Sequence, residues 1–232
     1  MSDFGQAFAL ALDMLARLDS NVLSIVFLSL WVSLSAVAIA VCVGLPAGAA
    51  LAIYPFPGRN AAVLLVNAML GLPPVVVGLA AYLLLSRAGP LGGFGLLFTP
   101  GAMVIVQTVL VTPIIAAIVH RGVVDAWVRY GDEFRILGAS RALAVPHLLL
   151  IARNQVLTAV LAGFGRAVSE VGAIIIVGGN IAGVTRTMTT TIVLETSKGN
   201  LALALALGIV LISITIVVNS LAFTLATGRK LS

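Results

Sequence analysis

Apolar positions run along this chain in long blocks that no charge interrupts. Between Asp19 and Arg59 there are 39 residues without Asp, Glu, Lys or Arg, between Arg59 and Arg87 there are 27, and between Arg87 and Arg121 there are 33. After Lys198 another 30 pass before Arg229. A helix needs about 20 residues to cross the hydrocarbon layer. Each gap therefore holds one span, at Val22–Ile53, Ala61–Leu85, Gly101–Val119 and Leu201–Ala226. A fifth block, Asn154–Val177, is apolar apart from Arg166 and Glu170, so the pattern predicts five spans.

Ahead of the first span, Phe4–Leu18 is helical in period, with Phe4, Phe8, Ala11, Leu15 and Leu18 on one face. It is short for a span and carries Asp13 and Arg17, which predicts a helix lying in the membrane interface. A sixth span is the competing reading. No basic leader or cleavage site marks a removable signal peptide. No repeat or linker divides 1–232, which reads as one membrane domain.

Between the third and fifth blocks, 120–153 is the longest stretch outside the membrane and holds eight of the 21 charged residues. A connection this long predicts structure of its own. Asp125–Leu137 is helix-compatible, Gly138-Ala139-Ser140 punctuates it, and Arg141–Leu150 resumes a helical pattern that Pro146 interrupts. Helix, small-residue turn, helix suits insertion into a partner's groove; a solvated hairpin is the alternative.

Composition fixes the class. Apolar residues make up 61%, charged residues 9%, and mean hydropathy is +1.19, against about 25% charged for an ordinary soluble domain. This excludes a soluble enzyme and a disordered regulator. The single cysteine, Cys42, lies in an apolar run, and His120 and His147 stand apart from clustered acids, so no metal site is expected. The net charge of +5 is a topology signal rather than a nucleic-acid footprint. With the 121–153 segment in the cytoplasm, the inner side holds Arg59, Arg121, Arg129, Arg135, Arg141, Arg153, Arg229 and Lys230, and the outer side Arg17, Arg87, Arg186 and Lys198. The positive-inside rule then puts the N-terminus outside and the C-terminus in the cytoplasm.

Several residues within or beside the spans are candidates for function. Arg166 and Glu170 are four apart, which on a continuous helix gives one shared face, with Ala162, Gly165, Ser169 and Gly172 forming an overlapping small-residue stripe. Ionisable groups at this depth face protein or water, so the pair either locks helices together or offers Arg166 to a passing anion. Pro46 and Pro73-Pro74 fall within apolar runs, where proline bends or breaks a helix. Outside, 178–200 is rich in Thr and predicts a short helix or re-entrant turn, with Asn180, Thr185, Arg186 and Thr187 at the outer mouth.

The segment Asp132-Glu133-Phe134-Arg135-Ile136-Leu137-Gly138-Ala139-Ser140 resembles the coupling loop of ABC importer permeases, a Glu-Ala-Ala signature with a glycine four residues after its last alanine. Asp132 falls at the acidic position and Gly138 at the glycine, while Glu133 and Phe134 replace the alanines and the downstream Leu-Pro is absent. Further stretches resemble the molybdate, tungstate and sulfate branch: Gly71-Leu72-Pro73-Pro74, Gly89-Pro90-Leu91-Gly92, Leu97-Phe98-Thr99-Pro100 and Ser169-Glu170-Val171-Gly172-Ala173. Val177–Ile181 and Thr185–Gly199 are most similar to tungstate permeases.

The resemblance implies an all-α integral membrane protein of the ABC type I importer kind, in the cell (inner) membrane, moving an oxyanion inward by alternating access. Tungstate is the expected cargo, with molybdate or sulfate as alternatives. No Gly-x-x-x-x-Gly-Lys-Ser/Thr phosphate loop occurs. The chain is therefore expected to carry no cofactor and no catalytic residue, with ATP and Mg on two separate ATPase subunits that grip Asp132–Ser140. A second copy of the chain, an external oxyanion-binding protein and membrane lipid complete the implied partners. From other classes, an ion-coupled carrier would need Glu170 as its relay, and a passive channel would not need so elaborate an inner loop.

Overall fold

The computed structural model describes residues 2–16 and 19–227, and among these every regular element is helical. Ten helices follow in order: α1 Ser2–Ala16, α2 Ser20–Ile53, α3 Arg59–Ala68, α4 Pro74–Leu85, α5 Pro100–Ile136, α6 Arg141–Ile151, α7 Arg153–Val168, α8 Gly172–Gly178, α9 Met188–Ser197 and α10 Leu201–Thr227. The described residues fall into two compact units. One comprises Met1–Ala36, Pro73–Gln107 and Ala167–Leu221, the other Val37–Leu72, Thr108–Arg166 and Ala222–Ser232.

Three helices are long and apolar enough to cross a membrane, α2, α5 and the Leu201–Leu221 part of α10. The number reaches five if α3 with α4, and α6 with α7, each count as one bent span. The chain is thus a multi-pass membrane protein. Of the three long helices α5 is the most buried, with 67% of its most apolar window covered, against 39% for α2 and 17% for α10. α10 is apolar all round and has little cover from the rest of the chain.

Element starts follow local chemistry. Asp19 Oδ1 accepts from the N–H groups of Asn21 (2.8 Å) and Val22 (3.3 Å), capping α2. Pro74 and Pro100 sit at the first positions of α4 and α5, where a missing N–H is no loss.

Three expectations are corrected. Within the Ala61–Leu85 span, α3 runs into a 3₁₀ turn at Met69–Gly71, and α4 restarts at Pro74. Pro73 and Pro74 lack the N–H groups that would continue the ladder. The Asn154–Val177 span also breaks, because α7 ends at Val168 and α8 begins only at Gly172. Asp125–Leu137 is not a separate loop helix but the last third of α5, which continues from Pro100 to Ile136. Pro146 interrupts nothing: it lies inside a continuous helix, α6, as Pro46 lies inside α2. The Pro46 ring sits on an exposed face, while Gly44 and Gly48 on either side of it are buried.

Those two glycines let α2 and α5 approach closely within the second unit. A Cβ built on Gly48 would lie 2.5 Å from the Ala116 carbonyl oxygen, and one on Gly44 would lie 2.9 Å from Ile115 Cγ2. In the first unit α4 packs on α8 in the same manner. A Cβ on Gly78 would stand 2.8 Å from Ala173 Cα, and one on Gly172 2.7 Å from Val75 Cγ2. Small residues at helix crossings let backbones come together where lipid offers no competing hydrophobic drive.

Candidate functional site

The Asp132–Ser140 segment is a helix end built around one glycine. Gly138 has φ +67. Its N–H donates to the Arg135 carbonyl (3.0 Å), and the Ala139 N–H donates to the Phe134 carbonyl (2.9 Å). These paired six-to-one and five-to-two bonds form a Schellman motif, which requires a left-handed residue at the glycine's position. Ser140 then caps α6, its hydroxyl accepting from the Leu143 N–H at 3.3 Å. Within nine residues the chain ends one helix, reverses, and starts another.

Side chains fix this reversal. The Phe134 ring lies 6.1 Å from the His147 ring of α6. Arg135 pairs with Asp132 at 2.9 Å and sits 5.8 Å from the centre of the Trp127 ring. The Arg135–Asp132 pair is exposed and stabilises little by itself. Ile136 and Leu137 are 85% and 79% exposed, two large apolar groups at the tip of a charged segment. Glu133 is also exposed, and Ala139 is half-buried. The arrangement offers a rigid, partly apolar knuckle.

A second group of predicted residues surrounds the break between α7 and α8. Glu170 is 4% exposed, and its Oε1 accepts from the Ala173 N–H at 3.1 Å, capping α8. Its own carbonyl accepts from the Thr189 hydroxyl (2.8 Å), while Gln107 Nε2 donates to the Ala167 carbonyl (2.9 Å). Both carbonyls would have accepted from N–H groups one turn further on had the helix continued. The four-residue spacing therefore does not set Arg166 and Glu170 one turn apart on a single helix: Arg166 lies in the last turn of α7, and Glu170 lies past its end. Ser169 in the break is exposed. Gln107 carried no motif, and Thr189 stood in the tungstate-permease-like stretch without a role of its own.

The outer residues form a knot of their own. Thr185 donates to the Gly178 carbonyl (2.6 Å) and accepts from the Ile181 N–H (2.9 Å). Asn180, at φ +50, accepts from the Thr190 hydroxyl at 3.0 Å. The Thr187 N–H donates to Thr190 Oγ1 (3.0 Å), closing a capping box at the start of α9, and the Met188 N–H donates to Ser29 Oγ of α2 (2.7 Å). Every buried polar or charged residue among those described, from Ser29 to Glu195, belongs to the first unit. Asn180, Thr185 and Thr187 are thus consumed in holding α9. Of the four predicted outer residues Arg186 alone has donors to spare: Nη2 is 3.5 Å from the Asn180 carbonyl, and Nε is buried with no acceptor.

Glu195, not foreseen, ends α9. It accepts from Lys198 Nζ (3.0 Å) and Asn200 Nδ2 (2.8 Å). Those two bonds, the Lys198 one foremost, hold its carboxyl below the ordinary carboxylate value, against the opposing effect of burial. No group of three or more potential metal ligands occurs among the described residues.

No family model matches the chain. Individual relatives do. It is 41% identical over 206 residues to a probable anion ABC transporter permease protein of Haloferax volcanii, covering 85% of this chain and 88% of that one. It is 35% identical over 225 residues to the tungstate uptake system permease protein TupB of Peptoclostridium acidaminophilum, covering 97% and 99%. The TupB protein of Campylobacter jejuni is 36% identical over 195 residues, with 84% and 82% covered. Nearly end-to-end similarity, a multi-pass helical body and a helix–glycine–helix knuckle agree, and the chain belongs to the oxyanion branch of ABC transporter permeases.

Proposed function

We propose that this chain is the membrane-spanning subunit of an ATP-driven tungstate importer, working as a homodimer. The supporting observation is its 35% identity to a tungstate uptake permease along 97% of its own length. Two ATPase subunits receive the Asp132–Ser140 knuckle, with Ile136 and Leu137 as its apolar tip and Gly138 setting its angle. ATP and Mg reside on those subunits, and this chain contributes no catalytic residue. An extracytoplasmic binding protein supplies the anion. The excess of Arg and Lys on the knuckle side supports a cytoplasmic C-terminus and an outer N-terminus in the cell (inner) membrane.

Coupling in this reading is mechanical. The knuckle is the end of α5, the most buried of the long helices, so force at Gly138 reaches the body of the permease without crossing a flexible linker. Selectivity rests on the binding protein, because the spans offer few donors to a tetrahedral dianion, which normally needs several. The test is ATPase activity in liposomes of the chain with its ATPase and binding protein, comparing tungstate, molybdate and sulfate. Strongest stimulation by tungstate is expected. Strongest stimulation by molybdate or sulfate would keep the mechanism and replace the cargo.

A further inference from the structure

A cavity of about 250 Å³ lies in the first unit between one turn of α2 (Ser24, Ile25, Phe27, Leu28) and the loop before α9 (Gly183, Arg186). Its walls are apolar apart from Ser24, whose hydroxyl is spent on the Asn21 carbonyl at 2.8 Å. Arg186 is the only charged residue lining it.

The protein bonds this arginine only weakly. It is half-buried, makes no salt bridge among the described residues, and has a single long contact, 3.5 Å to a carbonyl. Its Nε is fully buried without an acceptor. Glu195 is near enough to feel its charge, but that carboxylate is already bonded by Lys198 and Asn200. A partly desolvated cation with so few acceptors favours an anionic partner. A guanidinium is also well shaped to hold two oxygens of a carboxylate or phosphate. The neighbouring start of α9 is not available as the donor, since Thr187 and Thr190 close it.

We propose that Arg186 and this cavity form a binding site for a tetrahedral oxyanion, either the phosphate of an anionic lipid or the transported oxyanion itself. Both carry oxygens on a tetrahedral centre. Ile25, Phe27 and Leu28 lie in the outermost turns of a spanning helix, and Phe27 is 73% exposed. An acyl chain would find apolar cover on that wall, whereas a free dianion would use the guanidinium alone.

The test uses the full chain with its ATPase in nanodiscs, as wild type, R186K and R186Q. Thermal unfolding is followed in phosphatidylcholine discs, in discs where part of the lipid is phosphatidylglycerol, and in phosphatidylcholine discs with sodium tungstate. Wild type is expected to gain stability with one of the two anions. R186Q should bind that anion about 10- to 100-fold more weakly, the loss of a hydrogen bond to a charged group, and R186K should lie between. A response to phosphatidylglycerol alone identifies the lipid, and one to tungstate alone identifies the cargo. Equal responses of wild type and R186Q, or none in wild type, overturn the site. An Arg186 that merely packs would lower the midpoint of R186Q equally in all three media. The tungstate arm rests on the proposed cargo and the lipid arm does not, so the liposome comparison of ions separates failure of the site from failure of that reading.

Discussion

The Ala139 N–H donates to the Phe134 carbonyl across Gly138, and this bond, with the Gly138–Arg135 one, closes α5 just ahead of α6. It forms only with residue 138 left-handed, at φ +67. An alanine there would hold the same shape at a cost of about 1 kcal/mol. A proline cannot: its φ is fixed near −65°, and it lacks the N–H that reaches Arg135. G138A should therefore keep most tungstate uptake with slightly reduced thermal stability. G138P should retain ATPase activity in the assembled complex while losing uptake. Uptake by G138P equal to wild type, at equal expression, would remove this segment from the coupling path.

Glu170 yields a prediction that separates two kinds of transporter. Its carboxylate caps α8 through the Ala173 N–H. Glutamine retains an acceptor oxygen, whereas alanine has none, and losing a cap costs about 1 kcal/mol. E170Q should stay close to wild type in uptake, with E170A less stable. In an ion-coupled carrier the proton or cation would ride on the carboxylate, and E170Q would be as inactive as E170A. Uptake measured for both variants at one temperature decides between them.

The spans were legible because uncharged blocks longer than a bilayer admit few readings, and the knuckle because Gly138-Ala139-Ser140 punctuates a helical pattern. The restart at Pro74 was legible from covalent chemistry alone. The break at 169–171 was not. No proline marks it, and the two hydrogen bonds that replace the helical ones come from Gln107 and Thr189, which are 60 and 19 positions from their acceptors. Long-range donors leave no local periodicity, so the sequence read as one continuous helix and put Arg166 and Glu170 on one face. Pro146 misled in the opposite direction, since an 11-residue helix absorbed it.

Two glycines of the second unit should respond oppositely to alanine. At Gly48 a Cβ would meet the Ala116 carbonyl oxygen at 2.5 Å and the His120 nitrogen at 3.1 Å, both backbone atoms that cannot turn aside. Forcing α2 from α5 should destabilise G48A by about 1–3 kcal/mol, visible as a lower unfolding midpoint and poorer yield. At Gly71 a Cβ would meet nothing within 4 Å, so G71A should change stability by no more than about 0.5 kcal/mol. Similar midpoints for the two variants would contradict the close approach of α2 and α5.

Glu195 gives the pH dependence. Bonds from Lys198 and Asn200 hold its carboxyl below the ordinary value of 4.5, so the folded state binds this proton less readily than the unfolded one. The sign follows from linkage: the contribution is full above that ordinary value and fades as pH falls through the lower folded-state value. Lys198 is half-exposed, so solvent screening keeps the contribution modest. Wild type should lose thermal stability on acidification from about pH 5 downward. E195Q should begin less stable at neutral pH and show a shallower decline, because glutamine has no proton to take up. The comparison belongs in purified chain without binding protein, so that only this chain titrates. Parallel curves for the two proteins would mean that the Lys198–Glu195–Asn200 cluster does not hold the turn between α9 and α10.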